Sequence, residues 1–188
     1  MRITGGVHRS RLLHAPKGVS TRPTADRVRE ALFSILASRR PLEGASVLDL
    51  YAGTGALGLE ALSRGAARVT FVECSRTALA ALRANVEALG VERNAHVMSG
   101  LVERSSAALV AEGPFDLVLA DPPYALVKNG EALSALGELV HEGILTKGGL
   151  VVVEQGKGEA TELVGGLARV DVRTYGDTLL AFYADEAA

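Results

Sequence analysis

The sequence predicts an α/β fold: an open, mostly parallel sheet with helices on both faces and an antiparallel terminal strand. Three observations predict it. From Ser46 to Glu154 short apolar runs alternate with helix-period segments, the pattern of parallel strands joined by crossover helices. One run, 46–50, leads directly into Gly53-Thr54-Gly55-Ala56-Leu57-Gly58. Another, 115–120, leads into Asp121-Pro122-Pro123-Tyr124. In open parallel sheets ligands bind beyond the carboxyl ends of the strands, where strand order reverses. These two stretches are therefore expected to form two walls of one site, one for a cofactor and one for a flat polar substrate.

The elements follow in order. Residues 2–20 hold short apolar pieces (Ile3, Val7, Leu12, Leu13) broken by Gly5-Gly6, Pro16 and Gly18, and a small β-hairpin is expected. A helix follows over 24–37, with Thr24 as N-cap and Asp26 in the first turn, at the positive end of the helix dipole. Its apolar stripe is Val28, Ala31, Leu32, Ile35 and Leu36, with Arg27, Arg29 and Glu30 off the stripe. Pro41 and Gly44 end that region. Strands are expected at 46–50, 68–72, 95–98, 115–120 and 149–154, and helices at 57–63, 76–89, 102–111 and 131–141. Gly65, Gly90, Gly113 and Gly143 fall near helix ends, where a left-handed residue often terminates the element. After Glu154, runs 167–173 and 178–183 flank Thr174-Tyr175-Gly176-Asp177 and read as an antiparallel pair.

The 188 residues suit a single domain, 1–188, in which a basic extension (1–43) precedes a catalytic core (44–188). The net charge of -2 hides an asymmetry. Residues 1–40 carry nine Lys or Arg against two acids, whereas the remainder carries eleven against twenty. A basic end on an acidic body suggests a polyanionic partner for that end. No apolar run reaches the ~18 residues of a membrane span, and the first residues lack the apolar core of a signal peptide. A cytoplasmic monomer is expected. Cys74 is the sole cysteine, so an internal disulfide is excluded. It reads as a packing residue, and the four histidines (His8, His14, His96, His141) show no ligand spacing, so no metal is expected.

The glycine loop lets the backbone turn tightly and approach a ligand closely. Glu73 ends the next strand, twenty residues after Gly53. A carboxylate there can accept hydrogen bonds from both ribose hydroxyls of an adenosine. A dinucleotide and S-adenosylmethionine both fit this much. Asp49, immediately before the loop, would repel a pyrophosphate but suits the ammonium and sulfonium of S-adenosylmethionine. The competing reading is that Asp49 only orders the turn by bonding loop amides.

In Asp121-Pro122-Pro123-Tyr124 the two prolines fix φ twice and remove two donors, while Asp121 is pushed toward an extended conformation. The result is a stiff turn with carbonyls free to accept. An exocyclic amino group is a poor nucleophile because its lone pair is delocalised. A carbonyl and a carboxylate accepting its two N–H bonds would orient it, and the Tyr124 ring would stack the attached base. Such catalysis works by positioning and electrostatics.

The glycine loop DLYAGTGALGLEAL, the strand-end acid in FVE and the turn LADPPY resemble class I S-adenosylmethionine-dependent amino-methyltransferases. The segments RITGG and RPTADRVREALFSIL narrow the resemblance to the bacterial RsmD family, the 16S ribosomal RNA guanine-N2 methyltransferases. The resemblance implies a Rossmann-like, seven-stranded sheet with its last strand antiparallel. It implies S-adenosylmethionine as cofactor and a guanine of 16S rRNA, in the assembled small ribosomal subunit, as substrate. By position, Asp49, Gly53, Gly55 and Glu73 would bind the cofactor. Asp121, Pro122 and Tyr124 would hold the guanine, with Pro123 beside them. Gly100 stands where many relatives of the wider class place an Asp or Asn for the adenine, so adenine is expected on backbone groups around Gly100 and Leu101. Arg9, Arg11, Arg27 and Arg29 are expected to face RNA; Arg22 either joins them or closes over the cofactor. The alternatives are an amino-methyltransferase acting on adenine in nucleic acid or on a protein glutamine, and a non-catalytic RNA-binding module.

Overall fold

The computed structural model describes residues 1–15, 23–158 and 160–185. Arg22 lies outside the described residues, as do residues 16–20 of the expected hairpin; α1 already begins at Pro23, so Thr24, expected as its N-cap, falls inside the helix instead.

The chain runs α1 (Pro23–Arg39), β1 (Ser46–Leu50), α2 (Ala56–Ser63), β2 (Arg68–Glu73), α3 (Arg76–Leu89), β3 (Ala95–Ser99), α4 (Ser106–Glu112), β4 (Phe115–Ala120), α5 (Tyr124–Lys128), α6 (Glu131–His141) and β5 (Leu145–Gly156). It closes with β6 (Leu163–Val164), β7 (Leu167–Tyr175) and β8 (Thr178–Ala184). One sheet takes the order β3-β2-β1-β4-β5-β8-β7-β6. Strands β1 to β5 are parallel; β8 is antiparallel to both β5 and β7. Among the described residues the sheet has eight strands where seven were expected, because the two residues of β6 add a short antiparallel edge to β7. Chain order reverses between β1 and β4, so the crevice lies at their carboxyl ends.

Alternation along each strand sends side chains to two separate apolar layers. Val47, Val69, Phe71, Leu117, Leu119 and Val152 pack with α1, α2 and α3. Leu48, Leu50, Val118, Val151 and Val153 pack with α4 and α6 on the other face. With period two, Asp49, Asp121 and Glu154 all belong to the α1–α2–α3 side, at the carboxyl ends of three neighbouring strands. Leu50 pairs with Ala120 and Ala120 with Val153, so Asp121 and Glu154 stand side by side one residue further on.

The expected N-terminal hairpin is reduced to a single antiparallel bridge, Arg2 with Leu12. Its turn is set by backbone bonds such as Ile3 N–H to the Arg11 carbonyl at 3.0 Å. This segment is clamped to the core by two buried polar side chains. Glu60, fully buried on α2, accepts from the Thr4 amide at 2.7 Å, the Thr4 hydroxyl at 2.7 Å and the Gly5 amide at 2.8 Å. Asn85 on α3 accepts from the His14 amide at 2.6 Å and donates to the His14 and Thr54 carbonyls, each at 3.0 Å. Asn85 thereby ties the extension to the glycine loop.

Two local expectations need correction. Gly65, Gly90 and Gly143 do have positive φ, whereas Gly113 is extended (φ -72°, ψ -167°), because α4 runs directly into the proline preceding β4. The helix expected over 102–111 is split into a 3-10 turn, Val102–Arg104, and α4.

Candidate active site

The loop after β1 is a sequence of left-handed residues: Tyr51 (φ 57°), Gly53 (φ 57°) and Gly55 (φ 81°). A Cβ on Gly53 would meet nothing within 4 Å, so this glycine is needed for its φ and offers an open face to a ligand. A Cβ on Gly58 would run into Phe71 and Val69, so the third glycine lets α2 lie against β2. Tyr51 is not a glycine, and a left-handed conformation costs it roughly 1–2 kcal/mol. Its hydroxyl donates to the Glu103 carboxylate at 2.8 Å. Burial, then the hydrogen bond to Glu103, pushes the phenol up.

Two contiguous cavities open at the switch point. One, about 140 Å³, is bordered by Glu73, Gly100, Leu101, Glu103 and Pro123. The other, about 290 Å³, is bordered by Asp49, Gly53, Thr54, Glu154 and Arg29. Tyr51 and Asp121 line both, so the two make one bipartite cleft with these residues at the junction.

The acids of the cleft differ in what they touch. Glu73 braces the glycine loop: Oε2 accepts from the Gly53 amide at 2.7 Å, and Oε1 from the amides of Cys74 at 2.9 Å and Ser75 at 2.7 Å. Asp49 accepts from the Gly58 amide at 2.9 Å, so it does order the loop–helix junction while also lining the cleft. Burial raises its pKa well above the usual carboxylate range, against the pull of that amide; the charges of Asp121 and Glu73 raise it further. Asp121 is open to the cleft, yet protein crowds its carboxyl on most sides and this desolvation pushes it up to about 6. Glu154 is pushed up to about 8 by burial and by the charge of Asp121, with Arg29 pulling the other way. Neither carboxylate accepts a hydrogen bond from a described residue.

Beyond Asp121, Pro122 is buried and its carbonyl accepts nothing among the described residues, whereas the Pro123 carbonyl accepts from Leu126 at 2.9 Å to start α5. Tyr124 is 66% exposed. Its ring lies against Gly156 at the end of β5, where a Cβ would come within 3.0 Å of Cε1. Asp121 thus lines the cleft, and the turn that follows it carries a buried proline, its carbonyl unpaired among the described residues, and then an exposed aromatic ring.

The chain matches the family described as Conserved hypothetical protein 95 across residues 1–184. It is 37% identical over 186 residues to the putative rRNA methyltransferase YlbH of Bacillus subtilis (strain 168), covering 97% of this chain and 98% of that one. It is 39% identical over 158 residues to the ribosomal RNA small subunit methyltransferase D of Escherichia coli (strain K12), covering 82% and 74%. A solved structure of the putative methyltransferase yhhF from Escherichia coli aligns with a TM-score of 0.81 at 35% identity, covering 100% of this chain and 99% of that one. The chain belongs to the RsmD family of rRNA methyltransferases.

In this RsmD-family chain most of the expected residues converge. Asp49, Gly53, Glu73, Gly100, Leu101, Asp121 and Pro123 line the cleft. Gly55, Pro122 and Tyr124 border neither cavity: the first two are buried in the loop and the turn, and Tyr124 is exposed. The arginines divide. Arg9 and Arg27 are exposed and border a separate surface cavity with Arg2. Arg11 is exposed and donates to the Ala88 carbonyl at 2.5 Å, near the end of α3. Arg29 is only 4% exposed and borders the larger cavity, so its expected place on an RNA-facing surface is wrong. Its partners Glu60 and Asp26 draw the guanidinium inward. Glu154 and Tyr51 are among the cleft residues that were missed. Glu154 carried the same signal as Glu73, an acid closing an apolar strand. Tyr51 carried none, since nothing in its sequence context announces a left-handed tyrosine.

No described helix is long and apolar enough to cross a membrane. Among the described residues no group of three or more His, Cys, Asp or Glu is arranged to hold a metal ion.

Proposed function

We propose that this chain, as a monomer, transfers a methyl group from S-adenosylmethionine to the exocyclic N2 of a guanine in 16S rRNA within the assembled small subunit. The observation that carries the reading is the place of Asp121, at the junction of the two cavities and beside the free Pro122 carbonyl and the exposed Tyr124 ring.

The residues present fit the cofactor. Gly53 offers an open face, Glu73 and the Gly100–Leu101 backbone border the smaller cavity, and Asp49, Asp121 and Glu154 give the larger one an acidic lining suited to a cationic ligand. S-adenosylmethionine supplies the activated methyl group on its sulfonium. Glu73 would accept from the ribose, and Asp49 would face the cationic end. The Asp121 carboxylate and the Pro122 carbonyl would accept the two N–H bonds of the guanine amine, turning its lone pair toward the cofactor cavity. Tyr124 would stack the base, which must leave its own stack to enter. The nitrogen gives up one proton as it is methylated. Asp121, with Glu154 beside it, is the acceptor at hand. The basic extension, through Arg9, Arg11 and Arg27, would hold the RNA backbone.

The test is to incubate the protein with labelled S-adenosylmethionine and small subunits lacking the modification, then identify the labelled nucleoside by mass spectrometry. N2-methylguanosine from the small-subunit RNA is expected. Label in adenosine, in protein, or nowhere would refute the reading.

A further inference from the structure

We infer that Arg29 holds the α-carboxylate at the methionine end of the cofactor, so that helix α1 completes the cofactor site. The inference rests on S-adenosylmethionine being the cofactor and deepens that reading.

The cavity beside Gly53 is acidic. Asp49, Asp121 and Glu154 line it, and Arg29 is the one side-chain cation among its described lining residues. The methionine end carries two cationic groups, sulfonium and ammonium, and one anionic group, the carboxylate. A cation bound there favours the ionised forms of these three acids. The carboxylate is then repelled by the same walls unless it meets the guanidinium.

The arginine has donors to spare. Nη2 is used twice, by the Arg2 carbonyl at 2.6 Å and by Asp26 Oδ1 at 2.9 Å. Nε is buried 3.5 Å from Glu60 Oε2 and makes no hydrogen bond. Nη1 makes none with any described residue. A planar guanidinium with unused N–H groups matches a carboxylate better than any other side chain does. A purely structural clasp between α1 and α2 explains this less well. Glu60 already takes Arg64 Nε at 2.7 Å, together with the Thr4 and Gly5 donors, and leaves Arg29 only a long contact. Asp26 and the Arg2 carbonyl hold Nη2 firmly, but the N–H groups of Nε and Nη1 are left without an acceptor among the described residues, a cost that an anion reaching the free edge of the guanidinium would offset.

The experiment is calorimetric and needs no RNA. Two ligands are titrated: S-adenosylhomocysteine, and its decarboxylated analogue, which keeps the amine and lacks only the carboxylate. The parent should bind S-adenosylhomocysteine ~10–100-fold more tightly, the worth of a charge-assisted contact. In Arg29→Gln that preference should largely vanish, while affinity for the decarboxylated analogue stays within about threefold of the parent. Arg29→Lys keeps the charge without the fork and should show an intermediate preference; it also carries the test if the Gln variant does not fold. Equal weakening of both ligands would reduce Arg29 to a clasp and overturn the inference. An undiminished preference would also overturn it and would direct attention to the α-amino group of Met1, which lines the same cavity. If the parent binds neither ligand, the cofactor reading fails and this inference with it.

Discussion

Removing the Glu73 carboxylate should have two separable effects. In the protein alone, Glu73→Ala releases three backbone amides. Those of Cys74 and Ser75 belong to exposed residues, and water can replace the carboxylate there. The Gly53 amide is half-buried in a loop held at φ 57°, and its lost partner matters. One such bond contributes about 1 kcal/mol, which for a domain of this size lowers Tm by about 2–4 °C. In the complex, Glu73 additionally accepts from the ribose. Loss of those charge-assisted bonds should weaken cofactor binding by a further ~1–3 kcal/mol, or roughly 5–150-fold. Thermal melts without ligand measure the first effect, and calorimetry with S-adenosylhomocysteine measures the second. A lowered Tm with unchanged affinity would show that Glu73 only braces the glycine loop, refuting its role as ribose acceptor.

Three further outcomes follow from the site. Tyr124→Phe should keep most activity, whereas Tyr124→Ala should lose ~1–3 kcal/mol of stacking; equal damage in single-turnover assays would place the role in the hydroxyl instead. Glu154 has a folded-state pKa raised to about 8, so the folded state binds the extra proton and stability falls as pH rises from the ordinary carboxylate range toward 8. Glu154→Gln removes that penalty, so its Tm advantage over the parent should widen between pH 5 and pH 8; a constant gap would contradict the assignment. Replacing Arg9 and Arg27 with Ala should leave cofactor affinity intact but weaken RNA binding and flatten its salt dependence. The log–log slope should shrink by roughly 0.7 for each single-strand phosphate that is no longer neutralised. An unchanged salt slope would show that this patch does not meet the backbone.

The sheet was legible because its signals are local. Buried parallel strands read as short apolar runs, and β1 and β4 begin and end where those runs do. The two loops were legible because glycine and paired prolines restrict the backbone whatever surrounds them. Arg29 was not legible, because its neighbours are set by distant residues. Periodicity within α1 placed it off the apolar stripe, but its partner Glu60 comes from α2, and α1 turns Phe33 fully inward as well. Glu73 was recognised as a strand-end acid, yet its bond to Gly53 depends on how the loop folds back over β2. The strand β6 is too short to leave a periodic signal.

The account turns on Asp121 as the group that bridges cofactor and base. Its most direct test pairs two measurements on Asp121→Ala: methyl transfer to small subunits lacking the modification, and calorimetric binding of S-adenosylmethionine. Transfer should be abolished while binding persists, since Gly53, Glu73 and the Gly100–Leu101 backbone come from other strand ends. Near-parental turnover by Asp121→Ala would contradict the account.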